Sequence, residues 1–124
     1  MARRETTDWF IAAESREVAE ARAKIARQVR DLPVDAVETV VLLASELITN
    51  AVRHGVGPVW VRLSRTDDSI RVEVRDQSRD LPSMQPDDPT ALGGRGLRLV
   101  NALSSSWGVV GRHAGKSVWF TFDA

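Results

Sequence analysis

Apolar residues recur along this chain with two periods, and the switches between them mark its elements. The segment Thr6 to Ala13, with Trp9-Phe10-Ile11 at its centre, predicts a first strand at a sheet edge. From Glu14 the spacing becomes helical. Val18, Ala21, Ile25 and Val29 recur among Arg, Glu and Lys, which predicts an amphipathic helix to about Leu32. Pro33 breaks that helix and suits an early position of the next. The second helix, roughly Asp35 to His54, carries Val37, Val40, Val41, Ala44, Leu47, Ile48 and Ala51 on one broad apolar face. Gly55 and Gly57 supply its stop.

Strict alternation follows. Val59-Trp60-Val61-Arg62-Leu63-Ser64 and Ile70-Arg71-Val72-Glu73-Val74-Arg75 flank the turn Thr66-Asp67-Asp68-Ser69 and read as a β-hairpin. Ile70, Val72 and Val74 point one way, and Arg71, Glu73 and Arg75 the other, as in a sheet with one solvated face. Gln77 to Leu92 hold Pro82, Pro86 and Pro89 among Asp and Ser, a long irregular loop of the kind that serves as a lid. Gly96 to Leu103 reads as a short helix with Leu97, Val100 and Leu103 inward. Trp107-Gly108-Val109-Val110 and Ser117-Val118-Trp119-Phe120-Thr121-Phe122 read as two last strands. The order of elements predicts one α/β (α+β) domain over residues 1–124. It is a two-layer sandwich in which helices cover one face of a mixed, mostly antiparallel sheet.

Composition narrows the function. At 124 residues, 43% hydrophobic and 27% charged, the chain is long and apolar enough to bury one core. No apolar run approaches the roughly 18 residues that cross a membrane, and no apolar stretch follows the charged Met1-Ala2-Arg3-Arg4-Glu5, so neither a membrane span nor a secretory signal is expected. Absence of cysteine removes disulfides and thiolate metal sites and fits a cytoplasmic protein. Seventeen basic and seventeen acidic residues cancel, which argues against direct nucleic-acid binding, where phosphate contacts call for a basic surplus.

Three segments carry candidate chemistry. On the long helix, Glu46, Asn50, Arg53 and His54 fall on one polar stripe beside the apolar face. A carboxamide oxygen is a hard ligand suited to Mg²⁺, and a carboxylate one turn away is placed to accept a proton. A merely solvated face has the same pattern, and a histidine near a helix end also suits the last carbonyls. Asp76 ends a strand at the mouth of the long loop. As an acceptor-only group it favours adenine, whose amino group donates, over guanine, though a turn after a strand also recruits Asp. Gly93-Gly94-Arg95-Gly96-Leu97 lets backbone N–H groups converge on an anion at a helix start, with Arg95 adding charge; a flexible loop before a helix reads the same way. The P-loop spacing is missing, and no strand leads directly into these glycines as in a dinucleotide fingerprint.

Taken in order, these segments resemble the N, G1 and G2 boxes of the GHKL (Bergerat-fold) ATPase superfamily, over about Ala13 to Phe122. Glu46-Leu47-Ile48-Thr49-Asn50-Ala51, Gly94-Arg95-Gly96-Leu97 and Gly115-Lys116-Ser117-Val118-Trp119 are similar to the small bacterial anti-sigma-factor serine/threonine kinases. The resemblance implies ATP and Mg²⁺ as cofactors. It implies Asn50 as the metal ligand, Glu46 as catalytic base and Asp76 as adenine reader. Gly93, Gly94, Arg95, Gly96 and Leu97 would surround the phosphates beneath a lid within residues 77–95. Arg53, His54, Ser78, Lys116 and Ser117 would lie near the nucleotide. It further implies a sigma factor and an anti-sigma antagonist as partners, with homodimerisation through a sheet edge or the first strand.

The wider superfamily's Asp-x-Gly-x-Gly reads Asp76-Gln77-Ser78-Arg79-Asp80 here. Serine in the third place is common among the small kinases. No phospho-accepting histidine helix precedes the domain, which argues against a complete sensor kinase. Two functions therefore stand side by side: a protein kinase acting on an anti-sigma antagonist, and a nucleotide-dependent interaction module with little turnover. A scaffold that has lost its ligand is the third and plainest option.

Overall fold

The computed structural model describes residues 5–12, 15–54, 56–78, 94–113 and 115–123, without the side chains of 15, 54, 94 and 95. Five strands and three helices follow in the order β1 (Glu5–Ile11), α1 (Ser15–Gln28), α2 (Val34–His54), β2 (Val59–Arg65), β3 (Ser69–Asp76), α3 (Gly94–Leu103), β4 (Ser106–Arg112) and β5 (Gly115–Asp123). They build one sheet, ordered β1-β2-β3-β5-β4. All four pairings are antiparallel, the limiting case of the mostly antiparallel sheet expected. Strands β3 and β4 do run the same way, but β5 lies between them.

Each boundary has a local cause. Helix α1 stops at Gln28, short of Leu32, and the Val29 amide is already shared between the carbonyls of Ile25 and Ala26. Arg65 then donates to the Gln28 carbonyl and grips Asp31 through both guanidinium ends, which fixes the turn to the next helix. Pro33 accepts the Val37 amide, so it stands just outside α2 and costs that helix no hydrogen bond. Strands β2 and β3 form the predicted hairpin, with Val61 opposite Val74 and Leu63 opposite Val72.

The alternation splits the sheet into two unlike faces. Ile11, Val59, Val61, Leu63, Ile70, Val72, Val74, Val118 and Phe120 turn to one side and are buried. Val40, Leu43, Ala44, Leu47 and Ile48 of α2 meet them from above, with Ile25 and Val29 of α1 and Leu97 and Val100 of α3 completing the core. Burying such side chains contributes about 1.5–3 kcal/mol each before the entropy of ordering is set against it. No described helix packs on the other face. Among the described residues, no helix is long and apolar enough to cross a membrane.

Candidate functional site

Antiparallel pairing puts the last residue of β3 opposite the second of β5, so Asp76 faces Lys116. Both belong to the alternation that points toward the helices. Lys116 Nζ lies 3.6 Å from Asp76 Oδ2, and the side chains are only 4% and 2% exposed. The backbone N–H of buried Ser78 donates to Asp76 Oδ1 at 2.7 Å. Asp76 thus turns the chain as an Asp after a strand does, and it still presents its carboxylate inward. The Gln77 amide donates to the Val56 carbonyl at 2.8 Å, tying this turn to the connection that leaves α2.

Two glycines let other elements reach the same place. A Cβ on Gly115 would lie 2.1 Å from the Asp76 carbonyl oxygen, and its φ of +147° is one that side chains rarely adopt. At Gly96 on α3, a Cβ would lie 2.7 Å from Asn50 Nδ2 and 3.3 Å from Glu46 Oε2. The glycine segment therefore comes to rest directly on the carboxamide and carboxylate of α2. Helix α3 begins at Gly94, so the N–H groups of its first turn, which have no acceptor within the helix, lie beside that pair.

These pieces enclose a pocket of about 320 Å³, counted to its open mouth. Leu47, Ala51, Val74, Leu97 and Val118 form apolar walls, and Asn50, Asp76 and Lys116 supply the polar groups. Apolar walls of this kind suit a flat heteroaromatic ring. An N–H on its edge would meet the Asp76 carboxylate, and a neighbouring lone pair would meet the Lys116 ammonium. Oxygens of an attached anion would fall toward the start of α3, where backbone N–H groups and the helix's positive end favour them. Among the described residues, no cluster of three His, Cys, Asp or Glu forms a ready-made metal site. The donor set fits a hard cation bound through Asn50 and completed by water and ligand oxygens, as Mg²⁺ is commonly held.

Glu46, Asn50, Asp76, Gly96, Leu97 and Lys116 are thus brought together. Ser78 supports Asp76 through its backbone. Arg53 is exposed near the end of α2 and does not line the pocket. Ser117 alternates to the opposite face of the sheet, where its hydroxyl accepts a hydrogen bond from Arg112 Nε at 2.6 Å. Gly93, residues 79–93 of the expected lid, and the side chains of His54 and Arg95 lie outside the described residues. The sequence reading missed Gly115 as a site residue. Its signal was a glycine opening a strand, where a side chain would ordinarily contribute packing.

The comparisons with known proteins agree with this fold. The model of the histidine kinase-like ATPase domain family matches residues 11–122. No curated protein matches. Among solved structures, the RsbU and RsbW domains of Rv1364c from Mycobacterium tuberculosis superpose with a TM-score of 0.73 at 19% identity, over 95% of this chain and 32% of that one. The Erythrobacter litoralis EL346 blue-light activated histidine kinase gives a TM-score of 0.61 at 26% identity, over 85% of this chain and 41% of that one. The histidine kinase domain of that protein gives 0.59 at 25%, over 90% of this chain and 61% of that one. This chain therefore spans about a third to three fifths of the length of these structures. With the match running from the end of β1 almost to the end of β5, and the pocket lying inside it, the chain belongs to the histidine kinase-like ATPase domain family.

Proposed function

We propose that this protein binds ATP with Mg²⁺ and acts as an anti-sigma-factor type serine/threonine protein kinase, phosphorylating an anti-sigma antagonist and sequestering a sigma factor in the cytoplasm. The observation that carries the reading is the seating of Gly96 against both Asn50 and Glu46, within the pocket that ends on Asp76. In this reading Asp76 accepts the exocyclic N–H of adenine. Asn50 holds the metal, and the first turn of α3 holds the phosphates. Bound ATP–Mg²⁺ supplies the transferable phosphoryl group and charge neutralisation, so the protein's work is positioning and electrostatics. Glu46 receives the proton of the attacking serine hydroxyl as the new oxygen–phosphorus bond forms and ADP departs. The likeness to a structure containing an RsbW domain supports this architecture. Homodimerisation belongs to the same reading.

One observation favours a second reading, a nucleotide-dependent interaction module with little turnover. Ser78 is buried with its N–H locked on Asp76, so the chain leaves the strand through a fixed turn where the wider superfamily has a glycine. Incubation with labelled ATP and a candidate anti-sigma antagonist separates the two. Transfer that disappears in Glu46→Ala supports the kinase. ATP binding by calorimetry without any transfer supports the module, and transfer unchanged in Glu46→Ala overturns the role given to Glu46.

A further inference from the structure

We infer that the helix-free face of the sheet is a docking surface for an acidic, extended segment of a protein partner. The register turns Asp8, Trp60, Arg62, Arg71, Glu73, Arg75, Trp119 and Arg112 to this side. The guanidiniums of Arg62 and Arg75 lie over the Trp60 ring at 4.6 and 4.0 Å from its centroid, and that of Arg71 lies over Trp119 at 4.7 Å. Trp119 itself lies across Gly108, where a Cβ would stand 2.8 Å from Cζ2. Flat tryptophans held under guanidiniums are preorganised contact area, and Trp and Arg are the residues that dominate binding energy at interfaces.

Charge selects the occupant. Although the whole chain is neutral, the described residues place four arginines on this face against three carboxylates, Asp8, Glu73 and, at the end of β5, Asp123. Asp8 and Glu73 are already engaged, Asp8 by Arg62 through two hydrogen bonds and Glu73 by Arg112 and Arg75. The Nε of Arg71 has no hydrogen-bond acceptor among the described residues, and that of Arg75 reaches only Glu73, at 3.5 Å. The surplus of positive charge on this face favours carboxylates brought by a partner. A second copy of this face would instead bring the same surplus of positive charge.

Shape completes the argument. At one end of the face a hollow of about 510 Å³, counting space open to solvent, is lined by Phe10, Pro58, Trp60, Arg75 and Arg112, together with the β3–β5 end formed by Asp76, Gln77, Gly115 and Lys116. Phe10 is 73% exposed, an unusual position for a phenylalanine, and it offers an apolar contact beside two cations. An apolar side chain flanked by carboxylates matches that hollow and its rim.

The experiment is an NMR titration of the full chain with three end-blocked nine-residue peptides. The first has a central leucine flanked by glutamates, the second replaces each glutamate with glutamine, and the third with lysine. The acidic peptide is expected to shift backbone and indole signals of β2, β3 and β5, and to bind about tenfold tighter than the glutamine peptide. Its affinity should fall as salt rises. Phe10→Ser removes an exposed side chain and should leave the fold intact, yet weaken the acidic peptide about fivefold, and Arg112→Gln should do the same. Equal binding of the glutamine peptide, or shifts confined to another surface, overturns the inference. So does a single-stranded oligothymidylate that binds this face more tightly, or concentration-dependent self-association that shifts these same signals and covers the face with a second copy.

Discussion

Strand β3 carries two buried carboxylates, Glu73 and Asp76, on opposite faces of the sheet. Glu73 is saturated. Arg112 donates to it at 3.1 Å, Arg75 lies 3.5 Å away, and Ser117 and Arg71 also act on it. Asp76 has a backbone N–H and an ammonium at 3.6 Å, and beyond them an open pocket. One strand thus carries a carboxylate spent on holding the sheet's outer face together and another turned toward a cavity. Burial alone does not mark a functional acid. The difference lies in how much of its acceptor capacity the protein itself uses, and whether an open pocket adjoins it.

The comparison can be broken at the point that both faces share. Gly115→Ala forces a side chain against the Asp76 carbonyl from a backbone conformation that side chains rarely adopt. A loss of about 3 kcal/mol is expected, read as a lower urea midpoint, with ATP binding weakened because the Asp76 turn must shift. A Gly115→Ala protein of wild-type stability would show that the close approach is not required. Next in size is Asp76→Asn, which removes a charged acceptor from the pocket. ATP should bind about tenfold to a hundredfold more weakly, from the 1.5–3 kcal/mol of a charged hydrogen bond. In a thermal-shift series with Mg²⁺, wild type should be stabilised more by ATP than by GTP, and the variant should narrow that gap. Equal shifts with the two nucleotides in wild type would contradict the role of Asp76. Glu73→Gln sharpens the contrast from the other face. It keeps shape and some hydrogen bonding but leaves Arg75 and Arg112 without their carboxylate. Both arginines are a third or more exposed and can turn to water, so the cost should be only about 1–2 kcal/mol. ATP affinity should stay within about twofold, since Glu73 lies across the sheet from the pocket.

The sequence reading reached the inner face more fully than the outer. Helical and alternating periods place Val40, Leu47, Val72 and Val74 correctly, because burial on one side is what such patterns encode. The site was legible as three segments, but their meeting was not. Nothing in the order of residues says that Gly96 stops at van der Waals range of Asn50 and Glu46, since that depends on how α3 packs on α2. Ser117 shows the limit most clearly. It adjoins Lys116 in sequence, and the period of two in a strand sends it to the other face to bond Arg112. On that outer face Arg71, Glu73 and Arg75 read as a solvated stripe, yet Glu73 is buried. Its cover comes from Arg112, a residue far along the chain on β4, and cross-sheet pairing of that range leaves no local signal.

The smallest effect concerns acid. Burial pushes the Glu73 carboxyl up, but Arg75, Ser117, Arg112 and Arg71 together outweigh it and hold the group below the usual glutamate range. A carboxyl whose folded value is depressed binds fewer protons in the native state than in the unfolded chain. Its contribution to stability is therefore full above the unfolded glutamate value of about 4.3, and is lost as pH falls through the lower folded value. Melting temperatures of wild type and Glu73→Gln should differ by a constant amount from pH 7 to about pH 5 and then converge as the wild-type carboxyl protonates. At the acid end the protonated glutamic acid and the glutamine are nearly the same shape, so any remaining difference measures packing alone. Curves that stay parallel into strong acid would show that the guanidiniums hold this residue by shape, and that its charge contributes nothing.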